Sequence, residues 1–169
     1  MLKSLMFFGS VILFMNYSVG QTERFDSYPQ QGILISDEVP LFPKVEMLHE
    51  AFGAPDSVVE YSYAEMEELN LREIYYGKTK FIEQGKIITG FYLLDTRFSI
   101  LDLKVGDHAR EVKSRFPNSY NNRYPWGNEN FEVVRVLLLL ENGDISDGEI
   151  FLFFLKEDFI AKISLVENP

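Results

Sequence analysis

Leu103-Lys104-Val105-Gly106-Asp107-His108-Ala109-Arg110-Glu111-Val112-Lys113-Ser114-Arg115-Phe116-Pro117 is the stretch that decides the fold. Ala109, Val112 and Phe116 recur at three- and four-residue intervals, which places their side chains on one face of a helix. Asp107 stands just ahead, where a carboxylate can accept the unpaired N–H groups of a first helical turn. Phe116-Pro117-Asn118-Ser119 then ends the run. Val45, Leu48 and Phe52 stand in the same order 64 positions earlier, and Gly53 with Pro55 stops that helix too.

Strand-like segments follow each helix. In the first half they are residues 57–63, an acidic connector at 65–68, then 72–76 running on to 81–82. Glu83-Gln84-Gly85-Lys86 reads as a hairpin connection before residues 87–94, and a further strand covers 97–101. In the second half a long polar and aromatic loop reaches Phe131, and strands follow at 132–140, 149–155 and 158–166. Gly85 matches Gly148, and Asp95 matches Glu157, at nearly the offset that relates the helices. The expected class is therefore α+β: two tandem helix-plus-antiparallel-meander repeats packed as one domain. Their bounds are 41–102 and 103–169, after a polar leader at 21–40. Residues 134–140 and 150–155 are apolar on both alternations, so the second sheet face is either covered or sticky.

Ahead of the leader, Lys3 precedes an apolar run from Leu5 to Met15, and Ser18-Val19-Gly20 supplies small residues. This is the pattern of a signal peptide over residues 1–20, cleaved before Gln21, and the run is shorter than the ~20 residues a membrane span requires. The expectation is a secreted or periplasmic protein that does not insert in the membrane after cleavage. There is no cysteine, so no disulfide, thiol nucleophile or lipid-modified N-terminal cysteine is available.

The segment Leu103-Lys104-Val105-Gly106-Asp107, the short helix with Val112 and the Phe116-Pro117 stop resemble the start of a repeat in the β-lactamase-inhibitor-like group. The small outer-membrane assembly lipoproteins share its general plan. The resemblance implies short helical segments packed on a meander, with a concave sheet surface that binds another protein. It carries over no inhibitor-specific contact residue.

The 26 acidic and 16 basic residues give a formal net charge of −10, which repels nucleic-acid phosphates and disfavours anionic membranes. Enzyme signatures are sparse, and no cofactor is expected. His49 and His108 sit in comparable places in the two helices. Glu46, His49 and Glu50 share a helical face but lack the further ligands of a metal site. Residues 142–149 have oxygen-rich spacing that a hairpin turn needs for backbone reasons alone. The binding reading centres on Tyr120, Arg123, Tyr124, Trp126 and Phe131, because aromatics and arginine dominate interface anchors. A second candidate patch is the alternation of Phe91, Leu93, Phe151, Phe153 and Leu155, for which core packing is the competing use. The expected function is an exported binding or interaction module, more a binder than an enzyme. A protein is the expected ligand. A glycan or a carboxylate-based hydrolase is the alternative, and a homodimer a further option.

Overall fold

The computed structural model describes residues 24–61, 71–127 and 130–167. The signal segment 1–20 and the acidic connector 65–68 lie outside the described residues. In chain order the elements are β1 (Ser27–Pro29), β2 (Leu34–Ile35), β3 (Val39–Pro40), α1 (Val45–Phe52) and β4 (Ser57–Tyr61). Next come β5 (Leu71–Tyr76), β6 (Thr79–Gln84), β7 (Ile87–Leu93), β8 (Ser99–Ile100) and β9 (Leu103–Lys104). The rest are α2 (Ala109–Arg115), α3 (Pro117–Asn121), β10 (Tyr124–Trp126), β11 (Phe131–Leu139), β12 (Ile145–Lys156) and β13 (Phe159–Glu167).

Among the described residues one nine-stranded sheet runs in the order β1-β11-β12-β13-β7-β6-β5-β4, with β10 also paired to β11. All its pairings are antiparallel except β1 on β11, so the sheet is mixed. The join between the two halves is β7 with β13, where Phe91 faces Leu165 and Leu93 faces Ile163. A small four-stranded sheet, β3-β2-β8-β9, is built from strands of two residues each.

The expected α+β class of two tandem helix-plus-meander repeats is therefore incorrect. The chain is mostly β, 51% strand against 16% helical. The helices are short, of eight, seven and five residues. The strands of both halves fuse into one sheet instead of closing as two units. Apolar residues on both alternations favour this outcome, since long strands can then bury side chains on either face.

Each helix does hide its apolar stripe. Val45 and Leu48 of α1, and Ala109 and Val112 of α2, lie in the main core with Phe116. The small sheet adds Ile35, Val39, Ile100 and Leu103 to that core, and Ile33 just ahead of β2 joins them. A run of ring contacts crosses both halves, from Phe52 through Phe98, Phe81, Phe91, Phe151, Phe153 and Phe116 to Tyr28. Neighbouring ring centroids along it are 4.9–6.5 Å apart, within the range of favourable aromatic pairs.

Three local expectations change. Asp107 does not cap α2; its Oδ2 accepts from the Lys104 N–H at 2.9 Å, which tightens the turn after β9. His108 takes the cap position, its Nδ1 accepting from the Arg110 N–H at 3.2 Å. Pro117 ends α2 but opens α3, a position where its missing N–H costs nothing.

The segment read as a loosely held leader supplies β1. Asp26 ties it down: its backbone N–H donates to Ser119 Oγ at 2.7 Å, and its Oδ2 accepts from the Ser119 N–H at 2.8 Å. Asp26 thus satisfies the first turn of α3 from a distant segment, where Phe116 offers no side-chain cap.

Candidate functional site

The alternation of the long strands sorts side chains onto two faces. Phe91, Leu93, Phe151, Phe153 and Leu155 point into the main core and are buried, so the second candidate patch is interior. The residues between them form the outer face. There Val133, Leu137, Ile150, Leu152 and Phe154 make a second buried cluster, flanked by Phe25, Tyr124, Phe131 and Ile145.

β10 delivers its aromatics to this outer face by register. Tyr124 pairs with Val133 and Trp126 with Phe131, so both rings stand in line with the cluster. Trp126 packs edge-on against Phe154 at 5.9 Å, and Phe131 does the same from its other side at 5.9 Å. Tyr124 lies 6.2 Å from Trp126. Trp126 remains 46% exposed, which a ring sealing the core would not be.

Lysines interleave with these rings. Lys162 Nζ sits 3.6 Å from the Phe154 centroid and 5.6 Å from that of Tyr92. Lys80 Nζ lies 4.9 Å from Tyr92, and Lys156 Nζ 5.7 Å from Phe131. Such contacts are worth ~0.5–1 kcal/mol at exposed sites and more where desolvated. The cross-strand pairs Phe154–Lys162 and Tyr92–Lys80 make this a continuous band over β10, β11, β12, β13, β7 and β6.

At the far end of the band Glu73 gathers three donors. Lys80 Nζ reaches it at 2.5 Å, Tyr75 Oη at 2.6 Å and Tyr61 Oη at 2.9 Å. Burial works against its charge, but these hydrogen bonds outweigh it and hold the carboxyl below its ordinary value. The bond to Glu73, then burial, pushes the Tyr75 phenol up to about 12.

Of the five residues picked from the sequence, Tyr124, Trp126 and Phe131 come together on this face. Tyr120 and Arg123 do not join them. Tyr120 packs against the main core. Arg123 is a structural tie: its Nε donates to Glu132 at 2.8 Å, its Nη1 to the Tyr120 carbonyl at 3.0 Å, and its guanidinium lies 4.4 Å from the Tyr120 ring. Phe154, Tyr92, Lys80, Lys156 and Lys162 were missed. The neglected alternation of β12 and β7 carries Phe154, Lys156 and Tyr92, whereas Lys80 and Lys162 come from β6 and β13 and join them only through strand pairing.

The chemistry for catalysis is thin. A cavity of about 290 Å³ brings Tyr120, Glu132, Glu157 and Asp158 together, but Glu132 is committed to Arg123. His108 serves as a helix cap, with its ring 5.4 Å from Phe159. His49 Nε2 is buried with no hydrogen-bond partner among the described residues. No group of three His, Asp or Glu side chains is placed to hold a metal among the described residues. Asn142 and Asp144 bond each other across the turn before β12, at 2.6 and 3.1 Å.

No protein-family model, curated protein or solved structure matches this chain. The function must be read from the outer face itself.

Proposed function

We propose that the chain is an exported binding module that engages a protein partner through the outer face of its large sheet. The carrying observation is Trp126: 46% exposed, yet held by Phe154 beneath it and Tyr124 beside it. A rigid aromatic anchor with a wet edge is what interface hot spots are made of. The surface around it is a broad band of rings and lysines on a sheet, which suits a protein better than the narrow cleft expected for a sugar.

The test is photocrosslinking from the outer face in the native host. A benzoylphenylalanine placed at Trp126 should yield a discrete protein adduct. The same label at Lys113, on the exposed side of α2, should not. Equal labelling from both positions, or none from Trp126, would remove the reading. N-terminal sequencing of the exported form checks the other half of the proposal, with Gln21 as the expected first residue.

A further inference from the structure

We propose that β4 is a self-association seam: two copies of the chain pair their β4 strands antiparallel, centred on Val59, and form a two-fold dimer with one continuous sheet. The inference goes beyond the binding reading and does not depend on it. β4 ends the large sheet, and all five of its residues are exposed. A strand in that position presents a row of backbone N–H and C=O groups that another strand can take up. Such edges are ordinarily blunted by proline, lysine or a bulge. Ser57-Val58-Val59-Glu60-Tyr61 holds neither proline nor lysine, and its register on β5 runs without a shift. Its sole charge, Glu60, is answered within the chain by Arg72 at 3.8 Å.

The pattern of the strand itself favours a second copy as the occupant. Residues opposed in an antiparallel ladder point to the same face, so a two-fold pair must centre on one residue. Centring on Glu60 sets that carboxylate against its own copy, and centring on Val58 sets it against Asp56. Like charges directly opposite are unfavourable. Centring on Ser57 or Tyr61 runs half of the strand past the end of the other. Centring on Val59 aligns all five residues: Val59 meets Val59, Ser57 meets Tyr61, and Val58 meets Glu60. The opposite end of the sheet is a poorer match, because β1 offers three residues and Pro29 among them lacks an N–H. The pairing therefore closes as a dimer.

Val59 opposes Glu73 on the outer face, whereas Val58 opposes Ile74, which lies in the main core. A two-fold axis perpendicular to the sheet keeps both outer faces, each with its Trp126, on the same side. A partner that meets one copy then finds the second at high effective concentration. Five residues a side bury less than the roughly 800 Å² per partner of a standard interface, so the dimer is a reversible one.

The test is disulfide trapping in the full chain, which has no cysteine, so an introduced thiol is the only one. Opposed Cα atoms in an antiparallel pair are about 4.5–5.5 Å apart, inside the window of about 4.4–6.8 Å that a disulfide spans. Val59→Cys should therefore oxidise to a covalent dimer. Val58→Cys is displaced from its own copy by two residues, about 7 Å of strand, and should give less than a tenth of that yield. Met47→Cys, exposed on α1, should be equally poor. Val58→Cys combined with Glu60→Cys should recover the dimer. In sedimentation velocity Val59→Glu, its fold checked by circular dichroism, should weaken self-association at least tenfold, and Met47→Glu should leave it unchanged.

Equal yields from Val58→Cys, Val59→Cys and Met47→Cys would mean random collision and would overturn the proposal. A Val58→Cys yield above that of Val59→Cys overturns the register, and no dimer from Val59→Cys overturns the seam. A benzoylphenylalanine at Val59 that captures a different protein, and never a second copy, gives the edge to a foreign strand and sinks the proposal as well. None of these results touches crosslinking from Trp126, so the binding reading stands or falls separately.

Discussion

Phe81→Ala should destabilise regions far from the substitution as strongly as near it. Phe81 is fully buried on β6 and meets Tyr76 at 6.0 Å, Phe91 at 6.1 Å and Phe98 at 5.3 Å. Truncating such a ring costs about 4 kcal/mol, the sum of lost transfer energy and the cavity left behind. With a urea dependence of about 2 kcal/mol per molar, the unfolding midpoint falls by about 2 M. Trp126 reports from β10, separated from β6 by β11, β12, β13 and β7. Because the sheet is continuous through β7 and β13, Trp126 fluorescence and far-ultraviolet circular dichroism should shift together. If Phe81→Ala proves too unstable to purify, Phe81→Leu gives the same comparison at about 1 kcal/mol. A Trp126 transition that stays put while the dichroism midpoint moves would refute the single-core argument and restore two independent units.

The Glu73 carboxyl is held below its ordinary value, so its contribution is fully present above the unfolded value near 4.5 and is lost as pH falls through the folded one. Glu73→Gln should therefore flatten the acid limb of stability measured by urea titration between about pH 5 and pH 3. Asp26→Ala removes the remote cap of α3 and the anchor of β1, and should cost about 1–2 kcal/mol. Hydrogen exchange should show faster opening confined to residues 26–30 and 117–122 at first, before any global loss.

Much of the local structure was legible. The helix over 45–52 ends at Gly53, whose φ of 82° is a conformation other residues resist. The Gly85-Lys86 connection closes β6 onto β7 as the hairpin signal implied, with both φ values positive. Residues 72–82 form two strands, β5 and β6, because Gly77 turns the chain at φ 63°. What failed was class, and the cause is long range. Nothing within either half announces that β7 will pair with β13, or that Ser27–Pro29 will lie parallel on β11. The two-residue strands of the small sheet are too short for any alternation to show.

The site was half legible for a related reason. Composition marked out residues 120–131, but whether a ring in that stretch faces in or out depends on β10 pairing with β11 in one register. Tyr124 and Trp126 went to the surface band, whereas Tyr120, on α3, went to the core. The lysines were invisible as partners because they come from β6, β12 and β13, far apart in sequence.

The two flanks of the large sheet differ, and the difference limits how copies of this chain could accrete. At one end β1 and β10 already occupy the outer side of β11. At the other, all five residues of β4 are exposed, Val58 and Val59 at 43% and 40%, and no strand lies beyond it among the described residues. β1, the opposite end strand, offers only three residues, one of them Pro29 without an N–H, so β4 is the longer open seam among the described residues and can zip to one neighbour. Crowding should thus produce pairs before it produces fibres, and one lysine at Val59 should keep the chains apart.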